Sequence, residues 1–241
     1  MPLRMLLLSM LMLGSLEARA GALIEGTVLP FRQVEVSAPV SSRIVEMKVK
    51  EGDAVKQGQP LALLYGRLEE LEMQRAKALL ERREFEAKGA KRLYENKIIP
   101  ESKALEMRIE LDLARLQYES AAEQVRLRTV LAPMDGVVVT RTHEVGESVS
   151  TAQPMFRILD LSRVLVQVAV GPRTVASLAL GQKVRVSLPQ TPDSSELKGE
   201  VALVDPCADA EGKVRVRVMV ENPERHIRSG IKALVELPSS K

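Results

Sequence analysis

The chain has 241 residues, 35 Lys and Arg against 32 Asp and Glu, a formal net charge of +3 and 45% hydrophobic residues. That is the composition of a folded protein, long enough for one or two conventional domains or several small ones. Evenly mixed charge with three Tyr, three Phe and no Trp excludes the basic patch and stacking rings of a nucleic-acid binder, and one Cys excludes an internal disulfide framework.

Residues 1–20 read as an address. Arg4 precedes the apolar run Met5 to Leu13, and Ala18 and Ala20 form an A-x-A cleavage pattern. This is the form of a secretory signal peptide cut after Ala20. The other reading is a retained membrane anchor, but the run is about half of the ~20 residues needed to span a bilayer. Export to the periplasm is therefore expected. No Cys lies near the cleavage point to carry a lipid.

Residues 21–37 form an N-terminal strand region, expected to join whichever β-structure follows. From Ala38-Pro39-Val40 a stretch begins that recurs without gaps at Ala132-Pro133-Met134, 94 residues later. Gly52 falls on Gly146, Val55 on Val149, Gln59 on Gln153 and Pro60 on Pro154. Ile44 matches Val138, Val45 matches Val139, Leu61 matches Met155 and Leu64 matches Ile158. Each copy reads as a short strand, a turn at Gly52 or Gly146, and another short strand. Each is too small to bury a core alone. The two are expected to pack as one β-sandwich from residues 38–65 and 130–160.

Between the copies, residues 66–129 change period. Two segments, 67–95 and 102–128, are rich in Leu, Ala, Glu, Arg and Lys, which favour helix. The first carries the stripe Met73, Ala76, Leu80, Arg83, Ala87, Ala90, Tyr94. The second carries Ala104, Met107, Leu111, Ala114, Tyr118, Ala121, Val125. Steps of three and four make the seam of a coiled coil, broken only at Arg83. The expected structure is an antiparallel helical hairpin, each arm on the order of 40 Å long at 1.5 Å per residue. Asn96 to Glu101, with Pro100, marks the reversal, and Ser102 is the expected N-cap of the second helix. Ile98 and Ile99 lie at the tip, either packed between the helix ends or presented to a partner. A second apolar set, Leu105, Ile109, Leu113 and Leu116, is expected to flank the seam, as a broad seam or as a lateral interface between protomers.

From residue 161 to 237 the period returns to two. Val164, Val166, Val168 and Val170 alternate, as do Val184, Val186 and Leu188, then Val214, Val216, Val218 and Val220, then Ile231, Ala233, Val235 and Leu237. Five or six such strands, with a helical turn near Thr174 to Leu178, predict a small antiparallel barrel. Residues 238–241 are a tail. The fold class is thus mainly β with an inserted α-helical hairpin.

No catalytic residue is expected. His143 and His226 lack a nucleophile motif or an acidic partner at useful spacing. His143 is expected on a strand and His226 in a loop. The Met residues after the signal are far apart, which favours packing over metal binding, and no metal or cofactor is expected. A lipoyl or biotinyl carrier would need a Lys at the apex where the hairpin is inserted, and the export signal argues against it.

These parts, in this order, resemble the membrane fusion proteins, the periplasmic adaptor subunits of tripartite efflux and secretion systems. The carrying segments are Val49-Lys50-Glu51-Gly52-Asp53-Ala54-Val55, Leu131-Ala132-Pro133-Met134-Asp135-Gly136, Val145-Gly146-Glu147-Ser148-Val149, Ala179-Leu180-Gly181-Gln182-Lys183-Val184 and Ser229-Gly230-Ile231-Lys232-Ala233. The resemblance implies a non-catalytic link between an inner-membrane transporter, of the resistance-nodulation-division or the ABC type, and an outer-membrane channel. It implies self-association into a ring or tube, and a hairpin tip that meets the channel. The candidate contact residues are Leu93, Asn96, Ile98, Ile99, Pro100 and Ser102. Many efflux adaptors place an Arg, a Leu and a Ser around the tip. Here Leu93 takes the Leu position, while Gly89 and Pro100 stand near the other two. A heavy-metal efflux adaptor that binds metal itself is the remaining variant. With four residues after Leu237, no membrane-proximal domain is expected. Joints are expected near Tyr65-Gly66 and from Asp160 to Arg163, with the hairpin acting as a lever.

Overall fold

A computed structural model describes residues 22–189 and 196–237. The signal-peptide and tail expectations lie outside the described residues. The chain divides into two compact units, Pro30–Ser162 and the remainder, up to Leu29 and from Arg163 on. Two long strands, β1 (Ala22–Ser37) and β8 (Pro154–Val170), run from one unit into the other. The N-terminal strand region therefore serves both units, and Asp160 to Arg163 lies inside a continuous strand.

In the first unit the repeat folds into strands β2 (Ser42–Met47), β3 (Ala54–Val55) and β4 (Pro60–Leu64), then β5 (Thr129–Leu131), β6 (Gly136–Arg141) and β7 (Ser148–Val149). One sheet runs β5-β4-β2-β7. On the other side, β6 pairs antiparallel with β3 and with the start of β8. The short strand of each copy thus pairs with the other copy: Val55 with Gly136, and Val149 with Ser42.

The backbone bonds of the turns repeat the same exchange. Gly52 N–H donates to Val138 O at 2.8 Å, and Gly146 N–H to Ile44 O at 2.9 Å. Val138 N–H donates to Asp53 O, and Ile44 N–H to Glu147 O. Gly58 N–H donates to Ala132 O, and Ala152 N–H to Ala38 O. Every donor and acceptor in these pairs is offset by the 94 residues read from the sequence. Gly52 and Gly146 have φ of 92° and 96°, in the left-handed region where a Cβ is costly. The core beneath holds Ile44, Leu61, Val138, Met155, Phe156 and Ile158, all fully buried. Val45 and Val139, though matched in the repeat, turn the other way in the pleat. Val45 is exposed and Val139 half-buried.

Inserted between β4 and β5 are helices α1 (Arg67–Glu95) and α2 (Glu101–Arg126). They pack along each other as the expected hairpin, with Ala76, Ala90, Ala114 and Ala121 buried in the seam.

In the second unit, β1 pairs with β12 (Lys232–Leu237), and the order continues through β9 (Lys183–Ser187), β10 (Leu197–Ala208) and β11 (Val214–Glu221) to β8. Pairing of β1 with β8 closes the set. The alternate valines 164, 166, 168, 170, 184, 186, 216, 218 and 220 all point inward and are buried. The helical turn is α3 (Pro172–Val175), two residues earlier than its sequence signal, because Pro172 takes the first helical position. Buried Asn222 is satisfied on both sides: its Nδ2 donates to Ile227 O, and Ile227 N–H donates to its Oδ1. That exchange holds the loop 222–227.

The repeat marks one misfit. At the position of Gly58 (φ 79°) the second copy has Ala152, also left-handed at φ 65°. An L-residue there costs about 1 kcal/mol. Ala152→Gly is expected to stabilise this unit, and Gly58→Ala to destabilise it by about 1 kcal/mol, read as opposite shifts of its urea midpoint.

Candidate functional site

The tip of the hairpin is shaped by how α1 ends. Asn96 caps the helix, with its Nδ2 donating to Arg92 O at 2.8 Å. Lys97 then turns left-handed at φ 58°. Lys97 N–H donates to Tyr94 O and Ile98 N–H to Leu93 O, each at 2.8 Å. This pair of bonds is a Schellman motif, in which the left-handed residue is ordinarily Gly. The chain leaves the turn through Pro100, whose extended backbone (φ −71°, ψ 156°) and carbonyl open α2.

Ser102 is not the N-cap that its sequence position suggested. Pro100 fixes the entry angle, so the helix begins at Glu101 and Ser102 lies within its first turn, exposed. The two isoleucines divide. Ile99 is half-buried, whereas Ile98 is 67% exposed. Leu93 and Asn96 are exposed beside it. The tip thus brings together Leu93, Asn96 and Ile98 around a strained turn.

Down the hairpin, Arg83 sits at the seam position that broke the apolar pattern. It reaches across to Glu110 of α2 at 2.5 Å and along α1 to Glu86 at 2.7 Å. The Glu86 hydrogen bond, with the Glu110 carboxylate beside it, holds the guanidinium above its ordinary value. A charge pair at one seam position favours one register, because a slip leaves the half-buried Glu110 carboxylate without the guanidinium across the seam, while Arg83 keeps Glu86.

The set Leu105, Ile109, Leu113 and Leu116 does not flank the seam. Steps of four, four and three place it on the back of α2, and each side chain is 51–60% exposed. Broadening of the seam is therefore ruled out.

At the root, Arg128 ties the hairpin to the sandwich. Its Nη1 donates to Tyr65 O at 3.2 Å and its Nη2 to Glu69 Oε1 at 2.5 Å. Leu64 N–H donates to Arg128 O, Tyr65 N–H to Arg43 O, and Ser42 Oγ to Tyr65 O. The Arg43 guanidinium lies over the Tyr65 ring. Gly66 stands where a Cβ would come within 2.6 Å of the Arg128 side chain. The expected joint at Tyr65-Gly66 is thus heavily bonded.

The other candidates fall outside this surface. His143 lies just past the end of β6 rather than on a strand, between Thr142 Oγ1 and Gln153 Nε2. His226 is an exposed loop residue beside Glu224. Met155 is core, Met73 and Met107 are seam residues, and Met219 accepts from Arg163. Among the described residues, no group of three or more His, Cys, Asp or Glu is placed to hold a metal, and no helix is long and apolar enough to cross a membrane.

Two family descriptions match. Residues 32–161 match the barrel-sandwich hybrid domain of RND membrane fusion proteins. The chain belongs to the RND membrane fusion protein family. Residues 163–241 match the CusB-like β-barrel domain. Among curated relatives, nodulation protein NolF of Rhizobium meliloti is 27% identical over 229 residues, covering 89% of this chain and 62% of NolF. Cobalt-zinc-cadmium resistance protein CzcB of Cupriavidus metallidurans is 26% identical over 247 residues, covering 93% of this chain and 46% of CzcB. The chain thus spans about half to three-fifths of the length of these relatives. The crystal structure of a MacA–MexA chimera carrying the Pseudomonas aeruginosa MexA α-hairpin has the same fold. It superposes with a TM-score of 0.80 at 22% identity, over 91% of this chain and 81% of the chimera.

Two outcomes follow from the hairpin geometry. Lys97→Gly relieves the left-handed turn and is expected to stabilise the tip by about 1 kcal/mol, read as slower hydrogen exchange at the Lys97 and Ile98 amides. Glu110→Ala removes the cross-seam partner of Arg83. It is expected to speed exchange along both helices, whereas Glu72→Ala, which loses only an exposed pair with Arg75, leaves exchange unchanged.

Proposed function

We propose that this protein is a non-catalytic periplasmic adaptor that links an inner-membrane efflux transporter to an outer-membrane channel. Copies of the chain associate into a ring or tube around the path between them. The transporter is of the resistance-nodulation-division type, with an ABC-type exporter as the alternative. The observation that carries the reading is the hairpin: two helices of 29 and 26 residues lead away from a small sandwich and end in an exposed apolar tip. A helix pair of this length that buries only its own seam contributes little to a core. Its use is to carry Leu93, Asn96 and Ile98 to a distant partner, with Pro100 and Ser102 framing the contact and Ile99 packed beneath it. Gly52 and Gly146 hold the sandwich from which the hairpin springs. Exposed Leu180, in the turn before β9, is the matching contact on the barrel for the transporter.

Site-specific photocrosslinking in the native envelope tests this. A probe replacing Ile98 is expected to capture an outer-membrane channel, and a probe replacing Leu180 an inner-membrane transporter. Capture of neither membrane's proteins from either position would sink the bridging role.

A further inference from the structure

Below the tip the hairpin seam is underfilled. Ala87 of α1 and Ala104 of α2 hold seam positions there, and both stay half-buried. Two methyl groups leave space between the helices, and a groove of about 410 Å³ opens beside them. Leu105, Leu111 and Tyr94 complete its apolar lining. Counted from the Arg83–Glu110 pair, Leu111 marks the root end and Tyr94 the tip end, roughly 18 Å apart at 1.5 Å per residue.

Three cations line the groove, Lys88, Lys91 and Arg108, with one carboxylate, Glu101. By the same count Lys91 and Glu101 fall at nearly one height towards the tip, and Lys91 also reaches Glu95 at 3.9 Å. These charges offset one another. Lys88 and Arg108 make no ion pair among the described residues. Partners stand at the right spacing: Glu84 is four residues before Lys88, and Asp112 four after Arg108. Elsewhere on the hairpin that spacing closes a pair, as in Arg82–Glu86. Lys88 instead has Lys91 and Arg92 one turn on, like charges that weaken the helix. Lys88 and Arg108 differ in height by about three residues, roughly 4.5 Å, so one small anion reaches both.

We infer that this groove binds a single-chain fatty-acid anion, its carboxylate between Arg108 and Lys88 and its alkyl chain laid over Ala87 and Ala104 against Leu105 and Tyr94. The planar fork of Arg108 donates to both carboxylate oxygens, and Lys88 adds a point charge. Size decides among anions. A volume of about 410 Å³ lies at the small-molecule end of ligand sites. An acidic helix, about 10–12 Å across with its side chains, is too wide for a groove between axes roughly 8–10 Å apart. A two-chain lipid brings twice the apolar bulk for one head charge. One uncompensated pair of cations matches one head group, and one apolar trough matches one chain. The site stands apart from the bridging role, because nothing in it requires a transporter or a channel.

Calorimetric titration of the full chain, purified from the cell envelope, with decanoate below its micelle concentration tests the site. One decanoate per chain is expected to bind saturably. Lys88→Gln and Arg108→Gln, both at exposed positions, are each expected to weaken binding about tenfold. Arg75→Gln, on the same helix as Lys88 but outside the groove, is expected to leave it unchanged. Ala104→Leu fills the groove and is expected to abolish binding with the thermal midpoint held or raised. If that midpoint falls, the two exposed substitutions decide alone. Decanol, with the same chain and no charge, and decyltrimethylammonium, with the opposite charge, are expected to bind at least about tenfold more weakly. No saturable decanoate binding overturns the inference, as does binding that survives Lys88→Gln combined with Arg108→Gln. Flotation with phosphatidylglycerol vesicles that this double variant abolishes, without decanoate binding, assigns the cations to a membrane surface and equally overturns it. Capture of a channel or a transporter by photocrosslinking is independent of all these results, so the groove and the bridging role fail separately.

Discussion

The reciprocal bonding between the two halves of the sandwich is the constraint on which the rest depends. Val138 needs Asp53, and Ile44 needs Glu147. Some turn amides close within a copy, as Asp53 on Lys50 and Glu147 on Glu144, but those of Gly52, Gly146, Val138 and Ile44 find their acceptors in the other copy, so each half is incomplete without its mate. A flexible connection of roughly 60 residues would cost about 4 kcal/mol in closure entropy alone. An antiparallel helix pair removes most of that cost, because its seam returns the chain to its starting point. The hairpin is in this sense the fold's own closure device before it is anything else.

That role explains why register is guarded. Alanines at Ala76, Ala90, Ala114 and Ala121 allow close approach but say little about alignment, since one small residue fits as well as the next. The Arg83–Glu110 pair supplies what they lack. At the other end, Arg128 holds Tyr65 and Glu69 together, and Gly66 leaves room for it. Bending at Tyr65-Gly66 would break these bonds. The root therefore resists bending between the hairpin and the sandwich.

Much of this was legible in the sequence because it follows from spacing. The 94-residue offset reappears bond for bond, and the three-four steps gave the seam that is buried. What spacing does not encode is competition between neighbours. Ser102 has the chemistry of a cap, but Pro100 two residues earlier already fixes the entry angle and supplies the carbonyl. Ile98 and Ile99 are equivalent in sequence, and the left-handed turn at Lys97 decides which one faces out. The set from Leu105 to Leu116 reads as a flank of the seam only while the helix is imagined as a flat strip. At 3.6 residues per turn it falls on the back. His143 lies past the end of β6 just as Val49, its match in the repeat, lies past the end of β2, so the shared position falls beyond the strand in both copies.

The sandwich and the barrel each build a core of their own, although Leu23, Val45, Val145 and Leu180 stay exposed. The hairpin differs. Its seam already satisfies folding, so the exposed Ile98, Phe85 and the α2 stripe contribute nothing to the single chain and cost it solvated apolar surface. Lys97 adds backbone strain at the tip, and Gly89 adds a helix interior weaker than Ala would make it. These costs fall on three separate places of one element, its end and its two edges. An isolated hairpin gains from removing every one of them, so these features are costs that the folding of the single chain does not require.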